Sequence, residues 1–214
     1  WAIAVIVLFQ PELRRALAWI GQGSALQRVF GDTTEGARVV HEVVRATESL
    51  AGRRIGALIV LERATGLRQY AELGVALDAL VSADLLTSVF LPYSPLHDGA
   101  VFIQGGRVVA AGCFLPLSRN IQVGHALGTR HRAALGIAEE TDAVAVVASE
   151  ETGRLSIAVA GRLEVVPDAD ALRSRLDDLM GVGAGSLQDV TGLSALRRLW
   201  GRQTAIGPRG SSQS

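Results

Sequence analysis

The chain has 214 residues, of which 49% are hydrophobic, a formal net charge of zero and a mean hydropathy of +0.30. All 21 basic residues are arginine and lysine is absent, which excludes a Walker-type phosphate loop with its lysine and any lysine Schiff-base chemistry. Neutral charge gives no bulk electrostatic drive toward nucleic acid, and the single cysteine, Cys113, excludes disulfide frameworks and cysteine-rich zinc sites, so a buried structural thiol is expected there.

Trp1 to Phe9 is an uncharged apolar run, too short for a bilayer core that needs about 20 helical residues. It reads as the end of a membrane helix, with Gln10 to Arg15 emerging on the cytoplasmic side, or alternatively as a buried helix. Gly21 to Ser24 reads as a linker. The expected division is therefore an anchor remnant and linker over 1–24, one folded domain over 25–180, and a flexible extension over 181–214.

Asp32 and Glu35 form a capping-box-like start for a helix in which Val39, Val40, Val43, Val44, Thr47 and Leu50 recur at helical spacing, closed by Gly52. The short apolar run between Gly56 and Glu62 predicts a buried strand, and Arg63 to Gly66 a turn. Ser82 is placed to cap a helix through Phe90, with Leu85, Leu86, Val89 and Phe90 facing inward. Two prolines, Pro92 and Pro95, then stiffen the approach to His97-Asp98-Gly99-Ala100, which runs directly into Val101-Phe102-Ile103. Gly105-Gly106 marks a hairpin.

Phe114 to Ser118 leads into a polar loop and then to Gly128-Thr129-Arg130-His131-Arg132, ahead of a helical run from Ala133 to Glu140. Thr129 is placed to cap that helix, yet the first turn is basic where acids are usually favoured. Such a start is either a solvated basic turn or a polyphosphate cradle. Ala143 to Ser149 and Leu155 to Ala160 read as strands around Glu150-Glu151-Thr152-Gly153. Those carboxylates suit a cation, a ribose or plain solvent, and Ser149 suits a phosphate or a turn cap. Asp98-Gly99 is open in the same way between a metal-phosphate site and a structural turn. Pro167 ends the β-rich region, and Ala169 to Met180 reads as a covering helix through Leu172, Leu176 and Leu179. Gly181 to Gly185 reads as a linker, Leu193 to Trp200 as a short amphipathic helix, and the tail beyond Gly207 as disordered.

Taken together and in order, the Asp-Gly-Ala and Arg-His-Arg motifs resemble the diadenylate cyclase domain family. Phe9 to Leu17, Ser94 to Ala100 and Leu115 to Ser118 sharpen the likeness to its membrane-anchored CdaA type, over about Ile3 to Met180. The resemblance implies an α/β fold, a mixed twisted sheet flanked by helices, and condensation of two ATP into cyclic di-AMP with release of two pyrophosphates. By the same resemblance Asp98, Arg130, His131 and Arg132 are catalytic, and Gly99, Ala100, Phe114, Leu115, Gly128, Thr129, Ser149 and Glu150 complete the nucleotide site. Asp98, His97 and Glu150 are the implied ligands of Mg²⁺ or Mn²⁺. The family pattern carries tyrosine where this chain has Phe114, a change that keeps stacking and loses a hydroxyl.

The implied partners are ATP, a second protomer required for catalysis, a YbbR-domain regulator and phosphoglucosamine mutase, at a cell membrane with the catalytic domain cytoplasmic and no nucleic acid bound. Two rival readings are a non-catalytic nucleotide sensor, which has no need of Asp98, and a membrane-tethered scaffold.

Overall fold

The computed structural model describes residues 33–118 and 128–182. The expectations placed on the apolar N-terminus, on Asp32 as a cap, on the polar loop after Ser118 and on the segment beyond Val182 lie outside the described residues. No helix among the described residues is long and apolar enough to cross a membrane.

The valine-rich periodicity forms helix α1 (Thr33–Gly52), with Val39, Val40, Val43 and Leu50 buried. The Ala-Leu-Ile-Val-Leu run forms β1 (Ala57–Leu61), buried at every position. A short helix α2 (Arg68–Ala71) and an edge strand β2 (Val75–Leu80) follow. Ser82 caps α3 (Ala83–Phe90) as expected, its side chain accepting from the Leu85 amide at 3.3 Å. Strands β3 (Ala100–Gln104) and β4 (Arg107–Cys113) form the hairpin, and Gly105 and Gly106 both take the positive φ that a two-residue turn requires. Helix α4 (Thr129–Glu140), β5 (Val144–Ala148), β6 (Leu155–Val159), β7 (Arg162–Val166) and α5 (Ala169–Met180) complete the described chain.

All seven strands join one sheet in the order β2-β4-β3-β1-β5-β6-β7. Only β1 and β3 run parallel; every other pairing is antiparallel, so the sheet is mixed. Strand alternation then divides the core in two. Ile59, Leu61, Val101, Ile103 and Val146 face α1, α3 and α5, while Leu58, Val60, Phe102 and Val147 face α4. The central strands read as continuous apolar runs because helices cover both faces. β2 is not announced by its sequence. Its Val-Ala-Leu-Asp-Ala-Leu lies at an edge, mostly exposed, and its pairing with β4 is interrupted between Ala76 and Ala79, where Asp78 takes a φ of 48°.

Helix α4 begins earlier than its apolar periodicity indicates and takes in the basic motif. Gly128, not Thr129, is its N-cap, with no side-chain capping bond; Thr129 is the first helical residue. Beside Leu135 and Ile137, its buried residues include the small Ala133, Ala134, Gly136 and Ala138, which let backbone approach closely. A Cβ at Gly136 would stand 2.0 Å from the Pro116 carbonyl oxygen, and the adjoining Ser118 amide donates to the Arg132 carbonyl at 3.0 Å. Glycine to alanine inside a helix ordinarily stabilises by about 1 kcal/mol. Here backbone obstructs the methyl, so Gly136→Ala is expected to destabilise by roughly 1–3 kcal/mol in urea unfolding, the reverse sign.

Candidate functional site

Strand polarity brings the chemical groups to one end of the sheet. Because β1 and β3 are parallel with Ile59 opposite Val101, the residues that enter both strands, Gly56 and Gly99, lie at the same edge. Antiparallel β5 pairs Ala148 with Ala57, so Ser149 and Glu150 leave the sheet there too. Antiparallel β4 pairs Cys113 with Ala100 and delivers Phe114 and Leu115 to the same end. Helix α4 adds its N-terminus.

Together these elements line a cavity of about 520 Å³, within the range of roughly 300–1,000 Å³ usual for small-molecule sites. Of the site residues named from the sequence, Asp98, Gly99, Phe114, Leu115, Gly128, Thr129, Arg130, His131, Ser149 and Glu150 line it. His97, Ala100 and Arg132 do not. Ala100 is fully buried in β3, where it bounds the sheet beneath Gly99. Arg132 contributes its carbonyl to Ser118, and His97 is turned to the loop before it. Six further residues line the cavity: Leu58, Cys113, Leu117, Ala133, Ala148 and Glu151. Glu151 was visible beside Glu150; Leu117 comes from the segment after β4, and the others from strands and a helix that only the tertiary arrangement orients.

Gly99 takes a φ of 121°, and a Cβ on it would lie 2.7 Å from the Gly112 carbonyl carbon, so only glycine lets the Asp98 turn press onto β4. At the other wall Ser149 Oγ accepts from the Thr152 amide at 3.3 Å, and the Gly153 amide donates to the Ser149 carbonyl at 2.9 Å. Ser149 thus caps its turn while its hydroxyl proton stays free to donate. Arg130 Nη1 donates to Glu150 Oε2 at 2.7 Å, with Arg130 mostly covered and Glu150 more than half exposed. Arg130 Nε is buried with no partner among the described residues.

Burial lowers the pKa of His131 from its ordinary 6.5, opposed by the Glu151 carboxylate. Neutral imidazole is therefore the resting form at neutral pH, and the fixed cations of the motif are its two arginines. His97 Nδ1 lies 2.6 Å from the Ser94 carbonyl oxygen. A carbonyl can only accept, so Nδ1 carries the proton that points to it, as the second ring nitrogen of metal-ligating histidines usually does.

Among the described residues, no three of His, Cys, Asp and Glu are grouped closely enough to hold a metal by themselves. Asp98, Glu150 and Glu151 nonetheless share the cavity. This donor set fits Mg²⁺ or Mn²⁺ bound together with a substrate, because Mg²⁺ is commonly held by one or two carboxylates plus substrate phosphates.

A mixed α/β sheet that gathers carboxylates, a hydroxyl turn and an arginine-bearing helix start around one cavity is an α/β domain with a site suited to a phosphate-bearing ligand. Comparison with known proteins narrows this. The family profile described as DAC, DisA bacterial checkpoint controller nucleotide-binding, matches residues 44–163, and the chain belongs to that family. It is 45% identical over 177 residues to "Cyclic di-AMP synthase CdaA" of Bacillus subtilis (strain 168), an alignment covering 82% of this chain and 64% of that protein. The chain thus spans less than two thirds of that relative's length. Its fold is similar to that of DacA from Staphylococcus aureus, solved as a double mutant, with a TM-score of 0.65, 45% identity and coverage of 67% of this chain and 95% of that one. A hypothetical membrane spanning protein from Bacillus cereus gives a TM-score of 0.59 at 36% identity, covering 76% of this chain and 79% of that one.

Two outcomes follow from the burial at this site. The unfolded chain binds a proton at His131 that the folded chain resists, so stability rises with pH through the window ending near 6.5 and is lost as pH falls through it. Urea titrations from pH 5 to 8 should show this slope reduced in His131→Gln. Burial also pushes the Cys113 thiol up to about 11. With thiolate about a hundredfold scarcer than in a free cysteine, native Cys113 should react with iodoacetamide at pH 7.5 at least about a hundredfold more slowly than in urea.

Proposed function

We propose that this chain is a diadenylate cyclase that condenses two ATP into cyclic di-AMP, releasing two pyrophosphates, at a site formed between two facing protomers. The observation that carries the reading is the convergence of Asp98, Thr129 to His131, and Ser149-Glu150 on one cavity. The named activity of the relative and the shared family agree with it.

In each half-reaction the ribose 3′-oxygen of one ATP forms a bond to the α-phosphorus of the other. The bond from that phosphorus to the bridging oxygen of pyrophosphate breaks, and the hydroxyl proton is lost. Positioning and charge neutralisation are the main demands. Asp98, which lines the cavity, helps to activate the attacking hydroxyl. Arg130, the helix start at Gly128 and Thr129, and the Ser149 hydroxyl receive the triphosphate, with Arg132, which does not line the cavity, adding to the positive charge of the helix start. His131, neutral and buried, serves as a hydrogen-bonding group. Phe114, 65% exposed, and Leu115 offer the apolar surface for adenine. Asp98 and Glu150 are the carboxylates that would hold Mg²⁺ or Mn²⁺; His97, also implied by the resemblance, does not line the cavity. When bound, the cation supplies charge neutralisation at the phosphates and acidifies the attacking hydroxyl.

The Arg130–Glu150 pair decides how the site loads. With Glu150 largely exposed, such a pair is worth about 0–1 kcal/mol, whereas a charge-assisted phosphate contact is worth roughly 1.5–3 kcal/mol. Glu150 committed to a cation no longer neutralises Arg130, which is then free for the triphosphate. Nucleotide and cation should therefore bind with positive coupling.

Facing protomers follow from the chemistry. The product is two-fold symmetric and each site holds one ATP as both nucleophile and electrophile, which calls for an isologous contact. The exposed Phe114 and Leu117 at the cavity rim suit such a contact. Membrane attachment, a cytoplasmic catalytic domain, a YbbR-domain regulator and phosphoglucosamine mutase extend the proposal on resemblance alone.

Incubation with ATP and Mn²⁺ or Mg²⁺ should yield cyclic di-AMP by mass spectrometry, and Asp98→Asn should abolish it while remaining folded. Product from Asp98→Asn at the unmodified rate would refute the role of Asp98. Arg130→Ala should weaken ATP binding by roughly 1.5–3 kcal/mol in calorimetry. Activity should rise more than linearly with enzyme below the dimerisation constant, and strict linearity down to a demonstrated monomer would sink the two-protomer site.

A further inference from the structure

Gly56 enters β1 directly beneath the ion pair of the site. It is buried, and the turn before it is held by two hydrogen bonds: the Ile55 amide donates to the Leu50 carbonyl at 2.8 Å, and Arg54 Nη1 to the Glu151 carbonyl at 2.7 Å. A Cβ added at Gly56 would lie 2.5 Å from Arg130 Nη1, 2.6 Å from Glu150 Oε2 and 2.8 Å from Arg130 Cζ. Distances under 3.0 Å require something to move.

Two ordinary reasons for a glycine do not apply. Gly56 is not among the positive-φ glycines, so its backbone conformation is open to alanine. The three nearest atoms are side-chain ends, unlike the backbone atoms that meet a Cβ at Gly99 or Gly136. What the missing side chain preserves is the space in which the guanidinium and the carboxylate meet. Both are flexible ends that can swing aside, Glu150 into solvent, so a methyl group there would part the pair at little cost to the fold.

We propose that Gly56 is a positioning residue of the site: its bare backbone is the floor on which Arg130 and Glu150 are set for triphosphate and cation. This rests on the nucleotide reading above for its consequence, and on geometry alone for the contact. A methyl group at 56 displaces both groups at once, so the loss falls on ATP and cation binding and leaves the fold intact.

The test compares the unmodified chain with Gly56→Ala, each also in an Arg130→Ala/Glu150→Ala background. In the unmodified background, Gly56→Ala should unfold thermally within a few degrees of the parent. Its apparent KM for ATP and its half-saturating Mn²⁺ should both rise by on the order of tenfold, as expected for one lost charge-assisted contact, with a smaller change in kcat. In the double-alanine background Gly56→Ala should change neither stability nor ATP binding, since the groups it displaces are gone. Unchanged ATP and Mn²⁺ dependence in a folded Gly56→Ala overturns the proposal. So does equal destabilisation by Gly56→Ala in both backgrounds, or failure of Gly56→Ala to fold, because either means that the methyl meets the scaffold instead of the pair. If the unmodified chain makes no cyclic di-AMP, the cyclase reading fails. The placement of Gly56 is still judged by the stability comparison and by a crystal structure of Gly56→Ala, in which the Arg130–Glu150 pair should be parted.

Discussion

The parallel pairing of β1 with β3 is the constraint on which the rest depends. In a sheet otherwise antiparallel, this one pair sets two strand entries side by side, and the neighbours β4 and β5, running the other way, must end where β1 and β3 begin. A strand pair of opposite sense would have sent Asp98 and Gly56 to opposite ends of the sheet. Parallel strands also need a crossover, and the long path through β2 and α3 supplies it. The proline-stiffened approach to Asp98 is the last part of that path.

Burial reinforces the same geometry. β1, β3 and β5 are apolar on both faces, and a one-residue slip of any of them would exchange Leu58, Val60, Phe102 or Val147 between the two helical layers. Phe102 alone, 1% exposed, contributes roughly 1.5–3 kcal/mol by its burial. Register is thereby fixed by hydrophobic packing, and the site inherits its precision from a core that takes no part in its chemistry. The small buried residues of α4 do the same for the helix: Ala133, Ala134 and Gly136 let it sit low enough for Arg130 to reach Glu150 across the cavity.

The site holds its charges against one another. Arg130 and Glu150 are joined at modest energy, and His131 is kept neutral by burial with Glu151 opposing. An arginine without an acceptor in a partly buried site is costly, and Glu150 relieves that cost until a ligand arrives. In the proposed nucleotide site the pair would reconcile stability with binding: strong enough to order the guanidinium, weak enough to yield to phosphate.

The sequence by itself determined the covering helices, the three apolar central strands, the hairpin at Gly105-Gly106 and the identity of the three polar clusters. Each of these rests on local periodicity or turn chemistry, which the chain carries within a few residues. It also showed that Thr129 to Arg132 breaks the usual charge preference of a helix start, although not that Gly128 takes the cap. Tertiary structure alone decided that β2 is a strand, because an exposed edge has no apolar alternation to announce it. It alone joined Arg130 to Glu150, 20 residues apart, over Gly56, some 74 positions before Arg130. Nothing in a glycine's sequence surroundings states what would collide with a side chain it lacks; that is a property of neighbours brought together only when the sheet closes.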